Sequence, residues 1–105
     1  MAWLYLFVAG LFEIGWAVGL KYTDGFTRPV PSVLTLASMA ASVLLLAIAL
    51  RTLPLGTGYA VWTGIGAIGT VIFGIVYFGE STDLLRLGSI ALILVGLVGL
   101  KLATP

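Results

Sequence analysis

Residues 2–20 read AWLYLFVAGLFEIGWAVGL, an apolar stretch whose single charged residue is Glu13. About 20 apolar residues in a helix cross a hydrocarbon core that is about 30 Å thick. An ionisable side chain in the middle of such a helix costs roughly 2.5–3.5 kcal/mol, and such residues usually mark an ion or proton path. The stretch therefore predicts a membrane-spanning helix that carries a functional carboxyl group near its centre.

Three more apolar runs follow, separated by short connectors that contain most of the charged residues. Pro29, Pro31 and Pro54 stand where a helix is expected to begin, because the missing N–H is harmless in the first turn. The pattern predicts an all-α membrane protein with four transmembrane helices in a single domain, residues 1–105. Four short helices enclose little space, so an oligomer is expected. The predicted spans are residues 2–20, 30–50, 55–78 and 84–103.

The composition excludes several classes of protein. Of the 105 residues, 61% are hydrophobic and 9% are charged, which is outside the usual range of soluble globular domains. The chain has no Cys and no His, so disulfides, thiolate or imidazole metal sites and His-dependent catalysis are absent. We expect no metal, no cofactor and no enzymatic activity. A net charge of +1 without a basic run also argues against nucleic acid as a partner.

The basic residues are balanced between the two sides of the membrane. Lys21, Arg28 and Arg86 fall on one side, whereas Arg51, Lys101 and the N-terminal amine fall on the other. Because Lys and Arg set the orientation of a membrane protein, this balance is compatible with insertion in both orientations. The residues before the first span include no basic residue, so we expect that span to be retained rather than cleaved as a signal peptide.

Small and aromatic residues share the helix face of Glu13. Gly10 lies three positions before it and Trp16 three positions after it, and residues at this spacing are neighbours on a helix surface. Tyr59 and Trp62 show the same spacing in the third run. A carboxylate beside aromatic faces and hydroxyl groups suits a small organic cation. The pattern therefore predicts a cation pocket around Glu13.

The neighbours of Glu13 also have structural interpretations. Tyr59 and Trp62 are also typical of a helix core or of the aromatic belt at the membrane interface, and belt placement suits Tyr59 better than Trp62. Ser38 and Ser42, which share one face of the second run, are more often helix–helix hydrogen-bond donors than ligand contacts. Glu13 differs, since a buried salt bridge would need a base in the interior of a span, and the bases in the predicted spans, Arg86 and Lys101, stand near the ends of the fourth.

A carboxyl group of this kind can hold either a proton or a cation. If the site opens alternately to the two sides of the membrane, mutually exclusive occupancy is sufficient for proton-coupled antiport. The residues alone therefore predict a cation/proton exchanger.

The chain also resembles the small multidrug resistance family of four-helix bacterial exporters, in particular its guanidinium-exporter subtype. The similarity covers nearly the whole chain. It rests on Gly10 with Glu13, on Gly25-Phe26-Thr27-Arg28 and Pro31-Ser32, on Pro54-Leu55-Gly56-Thr57, on Tyr59-Ala60-Val61-Trp62-Thr63-Gly64-Ile65-Gly66-Ala67, and on Trp16, Ser42 and Gly99-Leu100-Lys101 for the subtype.

The resemblance implies an antiparallel homodimer in the bacterial inner membrane that exchanges protons for guanidinium. Glu13 would be the shared proton and substrate site, and no cofactor is implied. The resemblance implies three further roles, namely pocket residues, a bend in the third helix and dimer packing through the fourth helix. The pocket residues would be Gly10, Trp16, Ser42, Tyr59 and Trp62. The bend would lie at Gly64 and Gly66. The dimer would pack through Ser89 and Gly96, and relatives commonly have glycine at the position of Ser89.

Two other functions stay open from the sequence. One is a broader exporter of quaternary ammonium or multidrug cations, and the other is a non-transporting membrane subunit in which Glu13 hydrogen-bonds a partner helix. Guanidinium presents N–H donors that match a carboxylate, whereas a quaternary ammonium ion has none. A pocket rich in acceptors therefore favours guanidinium.

Overall fold

The computed structural model describes residues 1–104 and contains four α-helices. They are α1 (Ala2–Tyr22), α2 (Pro29–Ala49), α3 (Leu55–Phe78) and α4 (Leu84–Ala103). Each is long and apolar enough to cross a membrane, which confirms the all-α prediction of four spanning helices. The predicted domain also includes Pro105, which lies outside the described residues. That residues 1–105 form a single domain stays a prediction.

The first two helices differ from the predicted spans by one or two residues. Helix α1 continues through Tyr22, two residues beyond the predicted end, because hydropathy drops at Lys21 while nothing there disfavours helical backbone. Helix α2 begins at Pro29 and ends at Ala49, one residue earlier than predicted at each end. Proline at the first position of α2 is favourable, since its fixed φ suits a helix.

Helix α1 ends in a tight left-handed turn. Asp24, Gly25 and Phe26 have φ values of 50°, 69° and 65°, a conformation that costs energy for residues with a Cβ. The buried Thr23 supports the turn, since its hydroxyl donates to the carbonyl of Leu20 at 2.8 Å and accepts from the N–H of Phe26 at 3.2 Å. This turn positions Arg28 at the start of α2.

The connector between α3 and α4 is held by polar contacts. Gly79 ends α3 with a φ of 64°, in the left-handed conformation that glycine adopts readily. Glu80 forms an ion pair with Arg86. Asp83 caps α4, where the N–H of Arg86 donates to its carboxylate at 2.8 Å and, as the main cause, lowers the pKa of Asp83.

The described chain has its core among α1, α2 and α3. Leu6, Ala9, Leu46, Ala49 and Val61 are buried there. Helix α1 packs on both α2 and α3, whereas α4 packs mainly on α3, with Lys101 over the Trp3 ring of α1, and has no buried residue. The apolar surface of α4 therefore faces lipid or another chain.

Candidate functional site

Glu13 lies against a glycine of α3. A Cβ placed on Gly66 would overlap the carboxyl group of Glu13, so no larger residue fits there without moving the acid. Gly66 is itself buried. The Oε2 atom of Glu13 is also buried, and no group within residues 1–104 makes a hydrogen bond with it. Because an unpartnered buried carboxyl oxygen is costly, this atom is a candidate for binding a proton or a cation.

A hydrogen-bonded link joins three helices close to Glu13. Ser42 of α2 is fully buried, and its hydroxyl donates to the carbonyl of Ala9 in α1 at 2.7 Å. The same hydroxyl accepts from the indole N–H of Trp62 in α3 at 2.9 Å. Ala9 lies one helical turn before Glu13, so the link holds the three helices together beside the acid.

Ser38 makes a second contact of this type. Its hydroxyl donates to the carbonyl of Phe12 at 3.0 Å, the residue immediately before Glu13. Ser38 and Ser42 therefore both act as helix–helix hydrogen-bond donors, as the structural interpretation of their spacing predicted. In the described chain both hydroxyl protons go to α1 carbonyl groups rather than to the acid.

The aromatic candidates divide into a pair and a separate residue. The rings of Tyr59 and Trp62 lie 5.6 Å apart at an angle of 54°, and Tyr59 is exposed. The indole N–H of Trp16 is buried and has no partner within residues 1–104. The structure thus joins Tyr59, Trp62 and Ser42, but it makes no hydrogen bond between Trp16 and Glu13.

Two of the candidate glycines lie at contacts between helices. A Cβ on Gly10 would overlap Ile65 of α3, and a Cβ on Gly64 would overlap Leu97 of α4. Gly10 therefore allows α1 and α3 to approach each other closely. Helix α3 runs without interruption through residues 64–66, and a bend there during transport stays a prediction.

The predicted dimer-packing residues lie on the open surface of α4. Ser89 and Gly96 are both exposed, and a Cβ on Gly96 would have no neighbour within 4 Å. The Ser89 hydroxyl donates to the carbonyl of Leu85 at 2.8 Å, within its own helix. Neither residue contributes to the fold of the described chain, so their role in packing stays a prediction.

The sequence pattern did not indicate Thr70. This residue lies one turn after Gly66 on α3, and its buried hydroxyl has no partner within residues 1–104. Threonine in a helix usually bonds a carbonyl of the preceding turn, so the unpartnered hydroxyl is unusual. Its position four residues after Gly66 was the available signal, since such residues are neighbours on a helix.

The link through Ser42 predicts a measurable difference between the two serines. Ser42→Ala leaves the indole N–H of Trp62 without its acceptor, which should lower the free energy of unfolding by about 1–3 kcal/mol. Ser38→Ala removes one donor but leaves no other side chain without its hydrogen-bond partner, so a smaller loss of the free energy of unfolding is expected. Denaturant titration of the purified variants in detergent measures both values. Equal losses would show that the bond from Trp62 contributes nothing to stability.

Comparison with known proteins identifies the family. The family model for "Small Multidrug Resistance protein" matches residues 1–93. A protein of Proteus vulgaris named guanidinium exporter is 60% identical over 104 residues, which cover 99% of this chain and 100% of that protein. Proteins with the same name from Yersinia pseudotuberculosis serotype I (strain IP32953) and Escherichia coli (strain K12) are 62% and 59% identical, each over 99% of this chain and at least 99% of their own. The chain therefore belongs to the small multidrug resistance family of membrane transporters, as a multi-pass protein of the bacterial inner membrane.

Proposed function

We propose that this chain is a proton-coupled antiporter that exports guanidinium cations. The observation that carries the proposal concerns Glu13, at the centre of α1. Its Oε2 atom is buried and has no partner within residues 1–104, and its carboxyl group lies against Gly66 of α3. Glu13 is the only acidic residue in any of the four helices. Its neutralisation by a proton or by a cation removes the cost of a bare charge in the membrane. One site that accepts either species, but not both, couples their movements.

The chemistry of the surroundings favours a guanidinium ion. A planar guanidinium donates two parallel N–H groups to a carboxylate, and aromatic faces such as those of Tyr59 and Trp62 attract cations. Relatives at about 60% identity over nearly the full length carry the name guanidinium exporter. These observations together support guanidinium as the substrate, with export driven by the inward flow of protons.

The transporting unit that we propose is an antiparallel homodimer. The exposed apolar surface of α4 offers a face for a second copy, and the three-to-three balance of basic groups allows both orientations. Ser89 and Gly96 lie on that face. Pairing would bring a second Glu13 to the site, and alternating access would involve a bend at Gly64 and Gly66.

Dual orientation makes a specific prediction for labelling. The chain has no Cys, so Thr82→Cys introduces a single thiol in the exposed connector before α4. In intact cells an impermeant maleimide should label about half of the chains, because antiparallel pairing inserts both orientations equally. Labelling of all chains or of none, with full labelling after permeabilisation, would contradict the antiparallel dimer.

Transport by reconstituted protein tests the proposed function. Liposomes that contain the purified chain should take up or release protons when guanidinium is added, and much less when tetramethylammonium or tetraethylammonium is added. Equal responses to the quaternary ions would favour a broader multidrug exporter. No response to any cation would instead support a non-transporting membrane subunit.

A further inference from the structure

A groove lies between α1 and α2 on the side of α1 that faces away from Glu13. Glu13 faces Gly66 on α3, whereas Gly15 faces α2, where an added Cβ would lie 2.9 Å from the hydroxyl of Ser38. Two residues along an α-helix turn through roughly 200°. The groove and the carboxyl group therefore lie on different sides of α1, and the groove is separate from the proposed transport site.

The groove consists of two cavities that share Gly15 and Ser38. The interfacial cavity, of about 480 Å³, reaches Tyr22 and Arg28 at the end of the helices. The inner cavity, of about 400 Å³, reaches Val8. Helix α1 rises about 21 Å between Tyr22 and Val8. Since half of the hydrocarbon core is about 15 Å thick, the groove runs from the membrane interface past the midplane.

The interfacial cavity is suited to an anion. Arg28 is exposed, and it has no acidic partner within residues 1–104, where the one ion pair joins Arg86 to Glu80. Thr35 lines the same cavity, is 2% exposed and has a hydroxyl without a partner in this part of the chain. A guanidinium group binds phosphate oxygens through its fixed fork of N–H donors. A phosphate group at this end would neutralise the Arg28 charge.

The inner cavity is suited to a hydrocarbon chain. Val8, Leu11 and Phe12 form its walls together with the two shared residues. Leu11 and Phe12 are exposed in the described chain, and no charged side chain lines this cavity. An apolar channel that leads away from a basic residue at the membrane surface matches the division of a phospholipid into a charged head and an acyl chain.

We propose that this groove binds one anionic phospholipid, with its phosphate on Arg28 and one acyl chain along the inner cavity. The charge of Arg28, which has no acidic partner among the described residues 1–104, favours an anionic lipid over a zwitterionic one. The inner cavity favours a lipid over free phosphate, because only an acyl chain fills its apolar surface. The inference does not depend on what the transporter carries.

Native mass spectrometry of the purified protein in detergent tests the lipid site. Phosphatidylglycerol should be retained about fivefold more strongly than phosphatidylcholine, the factor expected for one basic side chain near an anionic lipid. Arg28→Gln should remove this preference. The matched control, Arg51→Gln, changes an exposed arginine on the opposite connector and should leave it unchanged. Equal retention of the two lipids by the unmodified chain would overturn the proposal, as would equal losses in both variants.

Two further experiments distinguish lipid binding from the binding of other anions and from a failure of a variant to fold. Inorganic phosphate should not displace bound phosphatidylglycerol. Displacement would show that the site binds anions at the surface and is not specific for a lipid. Leu11→Trp should fill the inner cavity and lower retention of phosphatidylglycerol while Arg28 remains intact. This variant also tests the proposal if Arg28→Gln fails to insert, and its unchanged retention would overturn the assignment of the acyl chain.

Discussion

Glu13→Gln should abolish guanidinium-driven proton movement in liposomes. Glutamine keeps the size of the side chain, but it carries no charge and binds no proton near neutral pH. Neither the proton nor guanidinium then has a binding site. Loss of one partner of a buried charged pair costs about 2–5 kcal/mol, which corresponds to a decrease of at least about 30-fold. The measurement is the initial rate of internal pH change after addition of guanidinium.

The matched control for this variant is Glu80→Gln. Glu80 is an exposed acid on the connector between α3 and α4, paired with Arg86, and its replacement should leave the rate close to that of the unmodified protein. A Glu13→Gln variant that still exchanges guanidinium for protons would show that the coupling site lies elsewhere.

Gly66→Ala should disturb the Glu13 site more than any other glycine replacement on α3. The added methyl group would occupy the position of the Glu13 carboxyl group, so the acid must move. Displacement of a reacting group by about 1 Å can cost about 100-fold in rate, and we expect transport to fall by roughly that factor. Guanidinium binding and its dependence on pH should change together with the rate.

Gly69→Ala is the matched control, since Gly69 also faces α1 one turn further along. Its added methyl group would meet the end of the Ile14 side chain, which can adopt another rotamer. Both replacements raise helix propensity by about 1 kcal/mol, so that effect cancels in the comparison. If the two variants lose transport equally, tight packing between α1 and α3 is sufficient to explain the requirement for glycine, and Gly66 has no special role beside the acid.

The fold was largely predictable because a bilayer restricts what a chain can do. Backbone groups in hydrocarbon must be bonded within the segment, so apolar runs of about 20 residues become helices. The ends were less predictable, as at Tyr22, because hydropathy reports the position of charged residues while the helix stops where the backbone turns. The left-handed φ values at Asp24 and Phe26 have no counterpart in the hydropathy pattern.

The site was predictable only in part. Glu13 stands out because a charge in a span is costly, and the serines and aromatic residues stand out by their helical spacing. The rotation and axial displacement of neighbouring helices determine the contact of Glu13 with Gly66 and the bond from Trp62 to Ser42. They also leave the Thr70 hydroxyl without a partner in the described part of the chain. Spacing within one helix carries no information on that relative placement.

In the proposed mechanism, proton and guanidinium compete for the carboxyl group of Glu13. Addition of guanidinium to the purified protein in weakly buffered detergent solution tests it directly, since a pH indicator then reports protons released on binding. Competition predicts proton release that saturates with guanidinium, is suppressed at high pH where the site holds no proton, and is absent in Glu13→Gln. Guanidinium binding without proton release at any pH would contradict it.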